Sequence, residues 1–136
     1  MEAKKYLRQL SSINDKISYR LEQIGVLRGL LGANSQNIKS DCVMSSPNQD
    51  KLEAFVVKIC DLEKEINDLI ELKFEIMKTV ESIESPRTYK IIYLKYVNEL
   101  SVNEICDEVD LARRTVFAEI QQGIEEVQHV LDNRTN

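Results

Sequence analysis

Leu100-Ser101-Val102-Asn103-Glu104-Ile105-Cys106-Asp107-Glu108-Val109-Asp110-Leu111-Ala112-Arg113-Arg114-Thr115-Val116 is the stretch whose reading decides the fold. Ser101 and Glu104 stand at capping-box spacing, so each satisfies one orphan N–H at the start of a helix. That helix carries Ile105, Cys106 and Val109 inward and stops at Asp110-Leu111. A second helix starts near Ala112 and runs past Val127, with Val116, Ile120, Ile124, Val127 and Val130 on one stripe. Upstream, Ser85-Pro86 opens a preceding helix, with proline at the first helical position where its missing N–H costs nothing. Ile91, Ile92, Leu94, Tyr96 and Val97 give that helix its apolar face. Two short helices joined by a tight turn have the geometry that sets a second helix in a DNA major groove.

The residues here resemble a known family. Leu94-Lys95-Tyr96, a short spacer, Leu100-Ser101 and Glu104-Ile105-Cys106 are similar to the start of a sigma-factor region 4 helix-turn-helix. Arg114-Thr115-Val116 matches the Thr-Val opening of that family's recognition helix. Most of the chain resembles the phage- and prophage-encoded, sigma-70 region 4-like transcriptional regulators of the RinA and ArpU kind. In these a helical hairpin precedes the DNA-binding unit, and Asp41–Ser46 with Lys51 and Glu53 resembles a loop pattern of that group. Two departures stand out. Asp110 replaces the family's turn glycine, and Asp tolerates left-handed backbone better than most residues. Ala112 replaces the usual capping serine, at about 1 kcal/mol of cap stability, so the first turn of the recognition helix is expected to be less rigid.

The N-terminal part carries a different pattern. Ala3, Tyr6, Leu10, Ile13, Ile17, Ile24, Leu27 and Leu31 fall on alternating three- and four-residue steps, interrupted by Arg20 and widened by Leu7 and Leu21. Gly32 is the expected stop. Residues 33–50 are polar and read as a loop. Leu52, Phe55, Ile59, Leu62, Ile66, Leu69, Ile76, Val80 and Ile83 resume the spacing, with Lys73 the intruder. The expected fold is therefore all-α: a long antiparallel coiled-coil-like hairpin over 1–84, then a helix-turn-helix domain over 85–136. Two helices alone bury little, so the hairpin is expected to self-associate, most simply as a dimer.

Charge is uneven along the chain. Residues 1–32 hold six basic against three acidic side chains, residues 51–85 five against nine, and residues 86–136 six against nine, for a net charge of −5 overall. The C-terminal unit is thus acidic, against the basic footprint usual in a DNA-binding domain. A hydrophobic fraction of 43% suits a globular chain. No apolar run is long enough to cross a bilayer and no signal peptide is evident, so a cytoplasmic protein with no membrane partner is expected. Cys42, Cys60 and Cys106 are far apart and read as reduced thiols, with no zinc spacing. His129 is the only histidine, and neither a nucleophile–base motif nor a phosphate loop is present. No cofactor or metal is expected, and no enzymatic activity.

With Val116, Ile120, Ile124 and Val127 inward, Arg113, Arg114, Phe117, Ala118, Gln121 and Gln122 fall on the outward side of the last helix. Arginine can fork onto guanine, glutamine onto adenine, and Phe or Ala can meet a thymine methyl. An ordinary solvated face is the plainer reading of the same residues. Arg87, Lys90 and Lys95 are candidates for phosphate contacts, or equally solubility charges. Glu119 and Glu125 would repel phosphate if they faced the duplex. Tyr89, Tyr93 and Tyr96 track the apolar face and read as core or interface. The expected function is a DNA-binding transcriptional regulator with duplex DNA as partner and, from the resemblance, RNA polymerase as a second one. A small-terminase-like DNA-packaging protein is one alternative, which ring assembly would distinguish. An anti-sigma- or adaptor-type protein-interaction module is another, favoured by the acidity.

Overall fold

Every regular element in the computed structural model is a helix; it describes the backbone of residues 1–40 and 45–135 and the side chains of 1–32 and 49–134. The elements are α1 (Ala3–Ser40), α2 (Ser45–Glu81), α3 (Pro86–Ile92) running into a π-helical turn (Tyr93–Val97), α4 (Val102–Val109) and α5 (Arg113–Thr135). Among the described residues, no helix is long and apolar enough to cross a membrane.

The loop expected over 33–50 is shorter than its composition suggested. Helix α1 continues through Gly32 to Ser40, and α2 is already helical at Ser45. The reason is local. Each glycine weakens a helix by about 1 kcal/mol without breaking it, and no proline stands between Met1 and Pro47. Pro47 itself falls in the first turn of α2, where no intrahelical N–H bond is lost. Residues 41–44, half of the family-like loop pattern, lie outside the described residues.

The chain divides into two units. Residues 15–70 form one, built from parts of α1 and α2. Arg20 pairs with Glu65 at 2.9 Å and Arg28 with Glu63 at 2.8 Å, so the two helices run antiparallel. Arg20, the break in the apolar stripe, thus spans to the neighbouring helix. Ile24, Ile59, Leu62 and Ile66 are buried between the helices, flanked by half-buried Ile17, Leu27, Leu31 and Ile70. Leu21 does not widen this stripe. It is 56% exposed, at the border of the seam on the side of Ile24 away from Leu27.

Residues 1–14 and 71–136 form the other unit. Its buried apolar side chains come from all five helices, the π turn and the α2–α3 connection: Ala3, Leu7, Leu10 and Ile13; Ile76 and Val80; Ile83 of the connection; Ile91 and Ile92; Leu94 and Tyr96 of the π turn; Ile105; and Val116, Ile120, Ile124, Val127 and Leu131. Most polar groups inside it are satisfied, but Glu126 Oε2 is buried without a hydrogen-bond partner. Thr79 is fully buried; its hydroxyl donates to the Glu75 carbonyl at 3.1 Å and lies 3.0 Å from the Tyr6 hydroxyl. With the Thr79 proton committed, Tyr6 is the donor between them. Gln128 of α5 holds the start of α1. Its Oε1 accepts from the Ala3 N–H at 2.7 Å, and its Nε2 donates to the Met1 carbonyl at 3.1 Å. An orphan N–H of the α1 first turn is satisfied from another helix.

Candidate nucleic-acid interface

Three local devices set the direction of α5. Ser85 caps α3, accepting from the Thr88 N–H, with Pro86 behind it. The helix then loosens into a π turn, closed by the Asn98 N–H onto the Tyr93 carbonyl at 3.1 Å, and Glu99 reverses the chain at φ 60°. Sequence periodicity carried no sign of the π turn or of Glu99 in left-handed backbone. Ser101 and Glu104 form the expected capping box: the Glu104 N–H donates to Ser101 Oγ at 3.2 Å, and the Ser101 N–H to Glu104 Oε1 at 3.1 Å. The bond from the Ser101 N–H, and after it one from the Ser101 hydroxyl, favours the carboxylate and holds Glu104 below the usual carboxyl range.

Helix α4 ends at Asp110, in left-handed backbone (φ 57°, ψ 47°), with its N–H donating to the Cys106 carbonyl. An aspartate thus occupies a position that favours glycine. The next turn of chain starts α5, whose Val116 N–H donates back to the Ala112 carbonyl at 3.0 Å. Val116, Ile120, Ile124 and Val127 face inward as their spacing requires.

Helix α5 packs closely on α3 because residue 123 is glycine. A Cβ there would lie 2.3 Å from Ile92 Cγ1, 2.6 Å from its Cδ1 and 3.2 Å from Thr88 Cγ2. A glycine amid Ile120, Ile124 and Val127 is the sequence sign of such an approach.

Arg113, Arg114, Phe117, Ala118, Gln121 and Gln122 are all exposed, on the first turns of α5. They are not all free. Arg113 Nη1 donates to Asn103 Oδ1 at the start of α4, and its guanidinium lies 5.6 Å from the centre of the Phe117 ring. Phe117 keeps 50% of its surface exposed. Gln121 Nε2 donates to Glu125 Oε1 at 3.4 Å, so Glu125 is turned along the helix toward its neighbour.

The basic candidates on the preceding helix separate. Arg87 is paired with Glu119 at 3.2 Å, and Glu119 also accepts from the Thr88 hydroxyl. Glu119 is therefore bound to α3, and the same pair takes Arg87 out of the pool of available cations. Lys95 is half-buried, with its ammonium 5.6 Å from the Tyr96 ring centre. Lys90 is exposed and lines a shallow groove of about 400 Å³ with Pro86, Arg87, Glu108, Asp110 and Leu111. Tyr96 is buried, and burial pushes its phenol up, partly opposed by Arg8. Tyr89 and Tyr93 are half-buried, with ring centres 6.0 Å apart. Among the described residues, no group of His, Cys, Asp and Glu is arranged to hold a metal ion.

The arrangement is that of an all-helical chain with an exposed polar and aromatic face at the start of its last helix. The chain belongs to a family of proteins of unknown function, DUF1492, whose profile matches residues 34–128. No curated protein and no solved structure matches it.

Proposed function

We propose that the chain is a DNA-binding transcriptional regulator of the phage or prophage type, reading duplex DNA through a helix-turn-helix made of α4 and α5. The observation that carries this reading is the exposed face of α5. Arg113, Arg114, Phe117, Ala118, Gln121 and Gln122 sit there together, while Glu119, the acid in their midst, is drawn away by Arg87 and Thr88. Arg113 spends Nη1 on Asn103, which leaves its Nε–Nη2 edge for the O6 and N7 of a guanine. Gln121 and Gln122 are the adenine readers, and Phe117 and Ala118 meet thymine methyls. Lys90, exposed on α3, holds phosphate, which sets register without reading sequence. The antiparallel α1 and α2 form a coiled-coil-like arm. Action at promoters and contact with RNA polymerase rest on the resemblance to sigma-factor region 4.

The acidity of residues 86–136 and the pairing of Arg87 favour a second reading, a protein-interaction module of the anti-sigma or adaptor type. Selection from a pool of random duplexes at low salt, with and without RNA polymerase, separates the two. The DNA reading expects an enriched motif whose definition weakens in Arg113→Ala and Gln121→Ala, by about 1–3 kcal/mol for each bidentate base pairing that the substitution removes. No enriched motif in either arm, with Arg113→Ala without effect, would leave the protein-interaction reading.

A further inference from the structure

Two arginines stand side by side at the start of α5, and their surroundings differ. Arg113 is held twice. Its Nη1 donates to Asn103 Oδ1 on α4, and its guanidinium lies 5.6 Å from the centre of the Phe117 ring, one turn further along α5. Arg114 is exposed and, among the described residues, makes no such contact. Asn103 is fixed by its place in the fold. It lies inside the Ser101–Glu104 capping box in the first turn of α4, and α4 ends in the left-handed turn at Asp110, after which α5 starts. Both helices belong to the same unit of the chain. The residue before α5 is Ala112, which has no side-chain oxygen to cap the first amides of that helix. The Asn103–Arg113 bond ties the first turn of α5 to α4 instead.

We propose that Asn103 is the positioning residue of the base-reading face: it holds Arg113 in place before DNA arrives, so that the free Nε–Nη2 edge selects guanine. This role rests on the reading of α5 as a DNA-binding helix and adds a residue of α4 to it. An unheld arginine is a long flexible chain that settles on any acceptor within reach, phosphate included, and it loses its rotamer freedom on binding. A held arginine has lost that freedom already. Its planar fork is matched only where two acceptors lie side by side, as O6 and N7 do on guanine. Phe117 attracts the same cation through its ring and leaves the Nε–Nη2 edge open. Arg114, unheld, suits phosphate, which calls for charge and no fixed orientation. The two neighbouring arginines are thus sorted by what touches them, one to read and one to hold.

The full chain without DNA gives the first test. In heteronuclear NMR spectra of the arginine side chains, Arg113 should show separate Nη signals, because its guanidinium does not rotate freely, while those of Arg114 average. Asn103→Leu is close in size but lacks the acceptor, so the Arg113 signals should average too. Asn103→Asp keeps an acceptor and should keep them separate. Selection from a random duplex pool at low salt is the second test, and the guanine position is the one whose preference Arg113→Ala removes. Asn103→Leu should weaken preference at that position by roughly two- to tenfold, the cost of ordering one long side chain on binding. Asn103→Asp should restore it, and Asn103→Leu added to Arg113→Ala should change nothing further there. Averaged Arg113 signals in the parent, a guanine position indifferent to Asn103→Leu, blurring of every position alike, or no restoration by Asn103→Asp would each overturn the proposal. A parent that enriches no motif while its Arg113 signals stay separate fails the DNA reading of α5, and this role with it, but leaves the Asn103–Arg113 bond standing.

Discussion

A methyl group at residue 123 has nowhere to go. Alanine would improve the propensity of α5 by about 1 kcal/mol. Against this, the added Cβ falls 2.3 Å from Ile92 Cγ1 and 2.6 Å from its Cδ1. Ile92 is completely buried, so its side chain can give way only by displacing its neighbours. Overpacking costs about 1–3 kcal/mol, so the steric term is expected to win. Gly123→Ala should lower stability in urea or thermal unfolding; unchanged or higher stability would mean that α3 and α5 are less tightly apposed. Gln128 gives a second residue-scale prediction. It accepts from the Ala3 N–H and donates to the Met1 carbonyl, so Gln128→Ala should cost about 1 kcal/mol. Hydrogen exchange should quicken at Ala3 while the α5 amides stay protected. Uniform quickening would show a general loss of packing instead.

At the scale of elements, what could be read in the sequence was what is local. The capping box at Ser101, the proline-led start of α3 and the inward stripe of α5 follow from neighbours within a turn or two. The end of α1 did not, because a helix with glycine and polar residues continues when nothing actively stops it. The turn from Tyr93 to Glu99 was also invisible, since a π-helical hydrogen bond leaves no mark in the spacing of apolar residues. Pairings such as Arg87 with Glu119, or Gln128 with the start of α1, join residues far apart in sequence and needed coordinates. The capping box makes a testable statement about pH. Glu104 has its carboxyl lowered by the Ser101 N–H, then by the Ser101 hydroxyl. A depressed folded-state value contributes stability above the unfolded carboxyl's range, and that contribution is lost as pH falls through the lowered value. Glu104→Gln should therefore flatten the acid side of the stability profile; Ser101→Ala, which keeps the backbone N–H and loses only the hydroxyl, should flatten it less while losing about 1 kcal/mol of cap at neutral pH. Parallel acid profiles for parent and Glu104→Gln would show that the box contributes nothing through its charge.

For the whole molecule, the proposed DNA binding sets an acidic chain against a polyanion, so it depends on how many cations the chain can spare. Five basic side chains are candidates on α3, its π turn and the start of α5: Arg87, Lys90, Lys95, Arg113 and Arg114. Arg87 is neutralised by Glu119, Arg113 is tethered to Asn103, and Lys95 is half-buried against Tyr96. Lys90 and Arg114 are exposed and, among the described residues, in no ion pair. Counterion release contributes a slope of about −0.9 in log affinity against log salt for each phosphate neutralised. A subunit spending two cations should show a slope of about −2, shallow for a DNA-binding protein, and weak non-specific affinity. The Arg87–Glu119 pair then acts as a reserve of charge. Glu119→Gln keeps an oxygen to accept from the Thr88 hydroxyl but releases Arg87, so non-specific binding should tighten and the slope should steepen by about one unit per subunit. Lys90→Ala should make it shallower by a similar amount, with equal loss on all sequences. Fluorescence anisotropy on a short duplex across a salt series measures all three slopes. If Glu119→Gln and Lys90→Ala leave both affinity and slope where the parent has them, the α3–α5 surface does not face phosphate, and the nucleic-acid reading of α5 fails with it.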